Sequence, residues 1–101
     1  MTTDAPRQLG MIGLGRMGAG LTRRLLADGH TVAVHDVSPD AIDALATEGA
    51  VPAHELADLV SALDAPRAVW VMVPAGEITE SVISRLADVL EPGDAIIDGG
   101  N

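Results

Sequence analysis

The 101-residue chain contains no cysteine, which excludes disulfides and thiolate metal sites. It contains no lysine either: all six basic residues are arginines, set against 15 acidic residues for a net charge of −9. That balance argues against nucleic acid as a partner, because phosphate backbones are held by cations. Phe and Tyr are missing and Trp occurs once, so a core must be built from Ala, Leu, Val, Ile and Met. Such a core buries less area per residue than an aromatic one. No apolar run approaches the length of a membrane span, and Met1 to Arg7 lacks the apolar stretch of a signal peptide. Metal-ligand spacing and nucleophile–base pairs are also absent. The expectation is one small cytoplasmic domain with no membrane, nucleic-acid or metal partner, preceded by a mobile tail over residues 1–7.

What is present centres on Leu9-Gly10-Met11-Ile12-Gly13-Leu14-Gly15-Arg16-Met17-Gly18. A short apolar strand runs straight into G-x-G-x-x-G, a helical pattern follows, and a second apolar strand ends on Asp36. This order is what a dinucleotide-binding βαβ unit requires. Gly13 permits the tight turn off the strand, Gly15 lets backbone approach a pyrophosphate, and Gly18 lets the helix pack on the sheet. The helix N-terminus offers free N–H groups and a partial positive charge to a diphosphate. A glycine-rich turn that binds nothing is the alternative. The acidity poses a problem, since a dinucleotide is itself an anion. Its solution must be local: helix terminus, loop amides and Arg16.

Along the chain, strands are predicted over 8–14, 31–36, 50–53, 67–73 and 94–98. Helices are predicted over 16–28, 39–48, 54–63 and 77–90. Ser38-Pro39 reads as an N-cap followed by proline at the first helical position, and Gly49 as a helix stop. Helical spacing places Leu21, Leu25 and Met17 on one face of the first helix and Ile42, Leu45 and Ala46 on the second. The third carries Leu56, Leu59, Val60 and Leu63, and the fourth Ile78, Val82, Leu86 and Val89 or Leu90. The near-continuous apolar run of the fourth strand implies burial on both faces. Alternating strands and helices imply an α/β Rossmann-type fold: a doubly wound parallel sheet of order 3-2-1-4-5. With no linker in sight, the chain is expected to stop before the domain is complete.

In such a sheet, ligands bind beyond the carboxyl ends of the strands. Asp36 arrives there and can accept hydrogen bonds from adenosine ribose hydroxyls while repelling a 2′-phosphate, which predicts NAD over NADP. A solvated loop aspartate is the other reading. His35 is expected to point elsewhere, since strand neighbours alternate faces. Val73-Pro74-Ala75-Gly76 offers small residues to a cofactor and serves equally as an ordinary turn. In Asp98-Gly99-Gly100-Asn101, Asn101 can both donate and accept, suiting a nicotinamide amide, a sugar hydroxyl or simply a turn. His30 and His54 lack a base–orienter partner. Trp70, Met11, Met17 and Met72 read as packing.

These segments resemble the β-hydroxyacid dehydrogenases. Met11-Ile12-Gly13-Leu14-Gly15-Arg16-Met17-Gly18 is similar to that family's fingerprint. The stretch from Ala65 to Gly76, and Pro92-Gly93-Asp94-Ala95-Ile96-Ile97-Asp98-Gly99-Gly100-Asn101, resemble the 6-phosphogluconate dehydrogenase branch in particular. The hydroxyisobutyrate branch usually carries a serine-threonine pair in place of Gly-Gly-Asn. The resemblance covers the chain from Gln8 onward. It implies oxidative decarboxylation of 6-phosphogluconate to ribulose 5-phosphate and CO2 in the pentose phosphate pathway. By the same resemblance, Gly13, Leu14, Gly15, Arg16, Met17 and Gly18 cradle the pyrophosphate. Asp36, Val37 and Ser38 lie at the adenosine ribose, Val73, Pro74 and Ala75 line the cofactor, and Asn101 touches cofactor and substrate.

Two departures bear on the cofactor. NADP-using members tend to carry Asn-Arg-Ser/Thr after the second strand, whereas this chain has Asp36-Val37-Ser38 without a cation, as in the shorter, NAD-preferring branch. Many members also have lysine where Pro74 stands. The family's catalytic residues and helical substrate domain fall beyond residue 101. The resemblance therefore implies an N-terminal fragment, inactive alone, of a homo-oligomeric enzyme. Two alternatives are a hydroxyisobutyrate dehydrogenase-like or imine reductase-like oxidoreductase, and a stand-alone NAD-sensing module without catalysis.

Overall fold

The computed structural model describes residues 7–73 and 77–99. Nine elements alternate: β1 (Gln8–Ile12), α1 (Arg16–Ala27), β2 (Thr31–His35), α2 (Pro39–Ala46), β3 (Val51–Pro52), α3 (Leu56–Ser61), β4 (Ala68–Val71), α4 (Glu77–Val89) and β5 (Ala95–Asp98). All nine expected elements are present, most of them shorter than their apolar patterns by one to three residues. The sheet is parallel throughout, in the order β3-β2-β1-β4-β5. The order reverses between β1 and β4, and a crevice opens there beyond the strand ends.

Strand alternation divides the core in two. Met11, Val32 and Val34 face one side, where Ile42 and Leu45 of α2 close over them and Leu21 and Leu25 of α1 pack alongside. Ile12, Ala33, Val69 and Val71 face the other, under Leu56, Leu59 and Val60 of α3 and Leu86 of α4. β4 thus serves both layers: Val69 and Val71 are fully buried on one face, while Trp70 and Met72 pack half-buried against the other. Gly10 marks a close approach. A Cβ there would lie 2.8 Å from Leu59 Cδ2, so α3 packs closely on β1 at this point and a side chain there would have to push the Leu59 side chain aside.

Met17 departs from the expected packing face of α1. It is 69% exposed, and Leu26 joins Leu21 and Leu25 against the core instead. On α4, Val82 and Leu90 pack against the core beside Leu86, and Val89 is exposed; the side chain of Ile78 lies outside those described. Arg7, expected in the tail, already belongs to the sheet's margin. Its N–H donates to His30 Nδ1 at 3.0 Å, and its carbonyl accepts from the Thr31 N–H.

One polar cluster locks the lower end of β4. The Asp94 side chain, 1% exposed, accepts from the Arg67 N–H at 2.6 Å, the Glu91 N–H at 2.8 Å and the Arg67 guanidinium at 3.0 Å. The same guanidinium reaches Glu91 and the carbonyls of Val60 and Leu63 at the end of α3. Those backbone donors, first Arg67 and then Glu91, hold the Asp94 carboxyl below its ordinary range. The hydrogen bond to Glu91, then that to Asp94, raises Arg67 further. Three separate segments are thereby fixed around one buried carboxylate, leaving the opposite end of the sheet for binding. No helix among the described residues is long and apolar enough to cross a membrane.

Candidate functional site

The glycine loop has a distinct physical reason at each of its three glycines. Gly13 lies at φ +94°, and its N–H donates to the His35 carbonyl at 2.9 Å. A Cβ on it would meet the Met72 carbonyl at 2.8 Å, so the turn off β1 presses directly on the backbone leaving β4. A Cβ on Gly18 would collide with the Gly13 carbonyl oxygen; α1 can fold back over the turn only with glycine there. Thr22, fully buried one turn later, donates its hydroxyl to the Gly18 carbonyl. Gly15 is different: nothing lies within 4 Å of its Cβ position. The first and third glycines are constrained by protein, and the middle one faces open space.

Gly15 also caps α1, with extended backbone and no side chain to satisfy the helix. The leading N–H groups of a helix have no intrahelical acceptors, so those of α1 are left for a ligand. The first turn contains no acidic residue, and its first position is Arg16. A cation there opposes the helix dipole, whereas a bound anion would be favoured by both.

Asp36 lies where β2 ends and holds this loop in place. Its Oδ2 accepts from the Leu14 N–H at 2.6 Å, and its Oδ1 from the Ser38 N–H at 2.9 Å. One carboxylate therefore ties the glycine loop to the β2–α2 turn. Each oxygen keeps further acceptor capacity for a ligand hydroxyl. Ser38 lies off the cavity walls; its hydroxyl caps α2 by accepting from the Ala41 N–H at 3.3 Å. Val37, between them, is 96% exposed.

Over these elements lies a cavity of about 840 Å³. Its walls include all six residues from Gly13 to Gly18, together with Asp36, Val37 and Val73. The candidates Pro74, Ala75 and Asn101 lie outside the described residues. A second cavity of about 390 Å³ adjoins the first beyond Asp36, toward α2 and the turn before α3. Both share His35, Asp36, Val37, Leu56 and Arg85.

Leu56, Val82 and Arg85 join the site from α3 and α4 without any local signal in the sequence. The apolar spacing of Leu56 and Val82 marks them for the core alone. The His35 ring Nδ1 bonds the Ala53 carbonyl at 2.9 Å, and the residue, expected to point elsewhere, forms part of both walls. A carbonyl only accepts, so that nitrogen carries the proton. His54 pairs with Asp43 at 3.3 Å on the surface and borders only the second cavity. Among the described residues, no cluster of His, Asp and Glu is placed to hold a metal ion.

The arrangement suits a long ligand with an anionic centre over the α1 terminus and a hydroxylated sugar at Asp36. Known proteins supply the family. A family model described as the NAD binding domain of 6-phosphogluconate dehydrogenase matches residues 8–101. A 6-phosphogluconate dehydrogenase from Haloferax volcanii, named as NAD(+)-dependent and decarboxylating, is 45% identical over 94 residues, covering 93% of this chain and 31% of that protein. The solved Plasmodium falciparum 6-phosphogluconate dehydrogenase superposes with a TM-score of 0.84 at 26% identity, over 92% of this chain and 21% of its own. The Mycobacterium tuberculosis 3-hydroxyisobutyrate dehydrogenase gives the same TM-score and identity, over 95% and 32%. The chain thus spans about a third or less of the length of these relatives.

Proposed function

Because the chain belongs to the family of 6-phosphogluconate dehydrogenase NAD-binding domains, we propose that it is the cofactor-binding part of an NAD-dependent enzyme that oxidatively decarboxylates 6-phosphogluconate. The observation that carries this reading is the extent of the family match. It runs from Gln8 through Asp98-Gly99-Gly100-Asn101, the segment in which the chain departs from the hydroxyisobutyrate branch.

The residues fit a dinucleotide. Gly15 leaves room for a pyrophosphate, the N–H groups at the start of α1 and the Arg16 side chain would bind it, and Asp36 would accept from the adenosine ribose. When bound, NAD supplies a hydride acceptor. This chain's own part is to orient that cofactor and choose between its two forms. NAD is favoured because Asp36 places a carboxylate where NADP carries a phosphate, and Val37-Ser38 brings no compensating cation. The H. volcanii relative is named as NAD(+)-dependent, whereas the P. falciparum enzyme is described in complex with NADP+. The residues at the ribose therefore have to decide.

The test is NADH or NADPH formation by the full-length gene product that carries these residues, supplied with 6-phosphogluconate. Turnover with NAD, much weaker with NADP, is expected. No turnover with either cofactor refutes the reaction. A clear NADP preference keeps the reaction and overturns the role given to Asp36.

A further inference from the structure

The second cavity continues the first beyond Asp36, away from the glycine loop: none of residues 13–18 borders it. On the reading above it receives the adenosine end of the cofactor, and the present inference rests on that reading. One wall residue has no assigned part. Arg85 projects from α4 onto both cavities and is exposed, with no hydrogen bond or ion pair among the described residues. The other arginines are placed differently. Arg23 pairs with Glu48, Arg67 is locked to Asp94, Arg16 borders only the larger cavity, and Arg7 and Arg24 border neither.

We propose that Arg85 is a specificity-determining residue for the purine base, its guanidinium covering one face of the adenine while Val37 offers the apolar surface of the β2–α2 turn. Three observations carry this. Val37 is 96% exposed and lines both cavities with Arg85, as does Leu56, so apolar surface stands beside the guanidinium in the smaller cavity, in a lining that is otherwise largely polar. A guanidinium is planar and weakly hydrated, and it stacks on flat π systems as an ammonium does not. The charge around the smaller cavity also decides which ligand group Arg85 meets. Asp36 and Glu55 border it against a single arginine, and the nearby His54 already faces Asp43. A phosphate dianion would be repelled there, whereas a neutral base would not.

The experiment compares wild type, Arg85→Ala and Arg85→Lys in the full-length gene product. NADH affinity is measured by fluorescence titration, and AMP and nicotinamide mononucleotide are used as competitors. Alanine is a good helix former on an exposed face, so the variant should fold. Arg85→Ala is expected to weaken NADH and AMP alike, roughly three- to tenfold, and to leave nicotinamide mononucleotide unchanged. Arg85→Lys should show most of the same loss, because it keeps the charge without the plane. The proposal is overturned by unchanged NADH and AMP affinity, by an equal loss for nicotinamide mononucleotide, or by full recovery with lysine. It is also overturned if NADPH loses at least tenfold more than NADH, which would make Arg85 a phosphate ligand. Wild-type protein that fails to bind NADH at all refutes the dinucleotide reading itself, a result distinguishable from every failure of Arg85.

Discussion

Alanine at Gly13 and alanine at Gly15 are expected to fail in different ways, although only Leu14 separates the two positions. At Gly13 the backbone lies at φ +94°, a region that costs an L-residue about 1–2 kcal/mol. The added Cβ would also lie 2.8 Å from the Met72 carbonyl and 3.0 Å from the Val73 nitrogen. Both belong to backbone, so no side-chain rotation relieves the contact. Overpacking of this kind costs about 1–3 kcal/mol. Together the two effects amount to about 2–5 kcal/mol, a large share of the roughly 5–15 kcal/mol by which a domain is stable.

Gly15 presents the opposite case. Its φ of −69° is open to alanine, and nothing lies within 4 Å of the new Cβ. Stability should fall only by about 0.5–1 kcal/mol, from alanine's poor capping of α1. The methyl group would instead take up cavity space where the pyrophosphate approaches. On the same overpacking scale, NADH affinity should drop about tenfold or more. Thermal unfolding and NADH fluorescence titration of both variants in the full-length gene product separate the two effects. A Gly15→Ala protein that melts as early as Gly13→Ala, or that binds NADH as tightly as wild type, would refute the division of roles within the loop.

Three further outcomes follow from the same geometry. Asp36→Asn turns one carboxylate oxygen into a donor that faces either the Leu14 or the Ser38 N–H, losing a hydrogen bond worth about 1.5–3 kcal/mol along with the negative charge. NADH should bind more weakly, and the kcat/KM ratio of NADP to NAD should rise; a fall in that ratio would contradict the assignment. Val37→Arg, on an almost fully exposed side chain, should leave the melting midpoint unchanged and improve NADP use several-fold, as read from KM for NADP. Asp94 is held below its ordinary value of about 3.9, so the unfolded chain binds its proton first as pH falls. Its stabilisation is therefore complete above about pH 5 and is lost as pH drops through the depressed folded value below about 4. The gap in melting midpoint between wild type and Asp94→Asn should stay flat from pH 5 to pH 8 and close below pH 4; a gap that widens on acidification would refute this.

The fold is legible in the sequence because its signals are local. Alternation, helical spacing and glycine stops mark each element within a short window, and parallel βαβ units admit few arrangements. Helical spacing turns Ile42, Leu45, Leu56, Leu59, Val60 and Leu63 inward, and all six are buried. Element ends are harder to place. Leu14 and Asp36 continue their strands by sequence pattern, yet they leave the ladder to form the loop, because a hydrogen bond between them replaces strand pairing. Met17 escapes its pattern for a related reason. Helical spacing gives the face a residue shares, but not whether the sheet extends far enough to cover that turn. Here α1 begins beyond the end of β1, and Met17 lies over the cavity instead.

What stays hidden depends on contacts across long separations. Nothing near Arg67 announces that Asp94, 27 positions on, will hold both its backbone and its guanidinium. Nothing near Asp36 announces that it braces the glycine loop as well as facing the cavity. The same reasoning resolves how a chain of net charge −9 can receive an anion. The first turn of α1 is free of acidic residues, Arg16 stands at its head, and the carboxylate nearest the loop is itself hydrogen-bonded to two backbone N–H groups. Fields at a binding site are set by the few charges within about a Debye length, some 8 Å in physiological salt. The surface acids can therefore be numerous without deciding what binds. On the proposed reading the choice between NAD and NADP falls instead to Asp36 and Val37 of the β2–α2 turn, which share their cavities with Arg85 of α4 only once the sheet has formed.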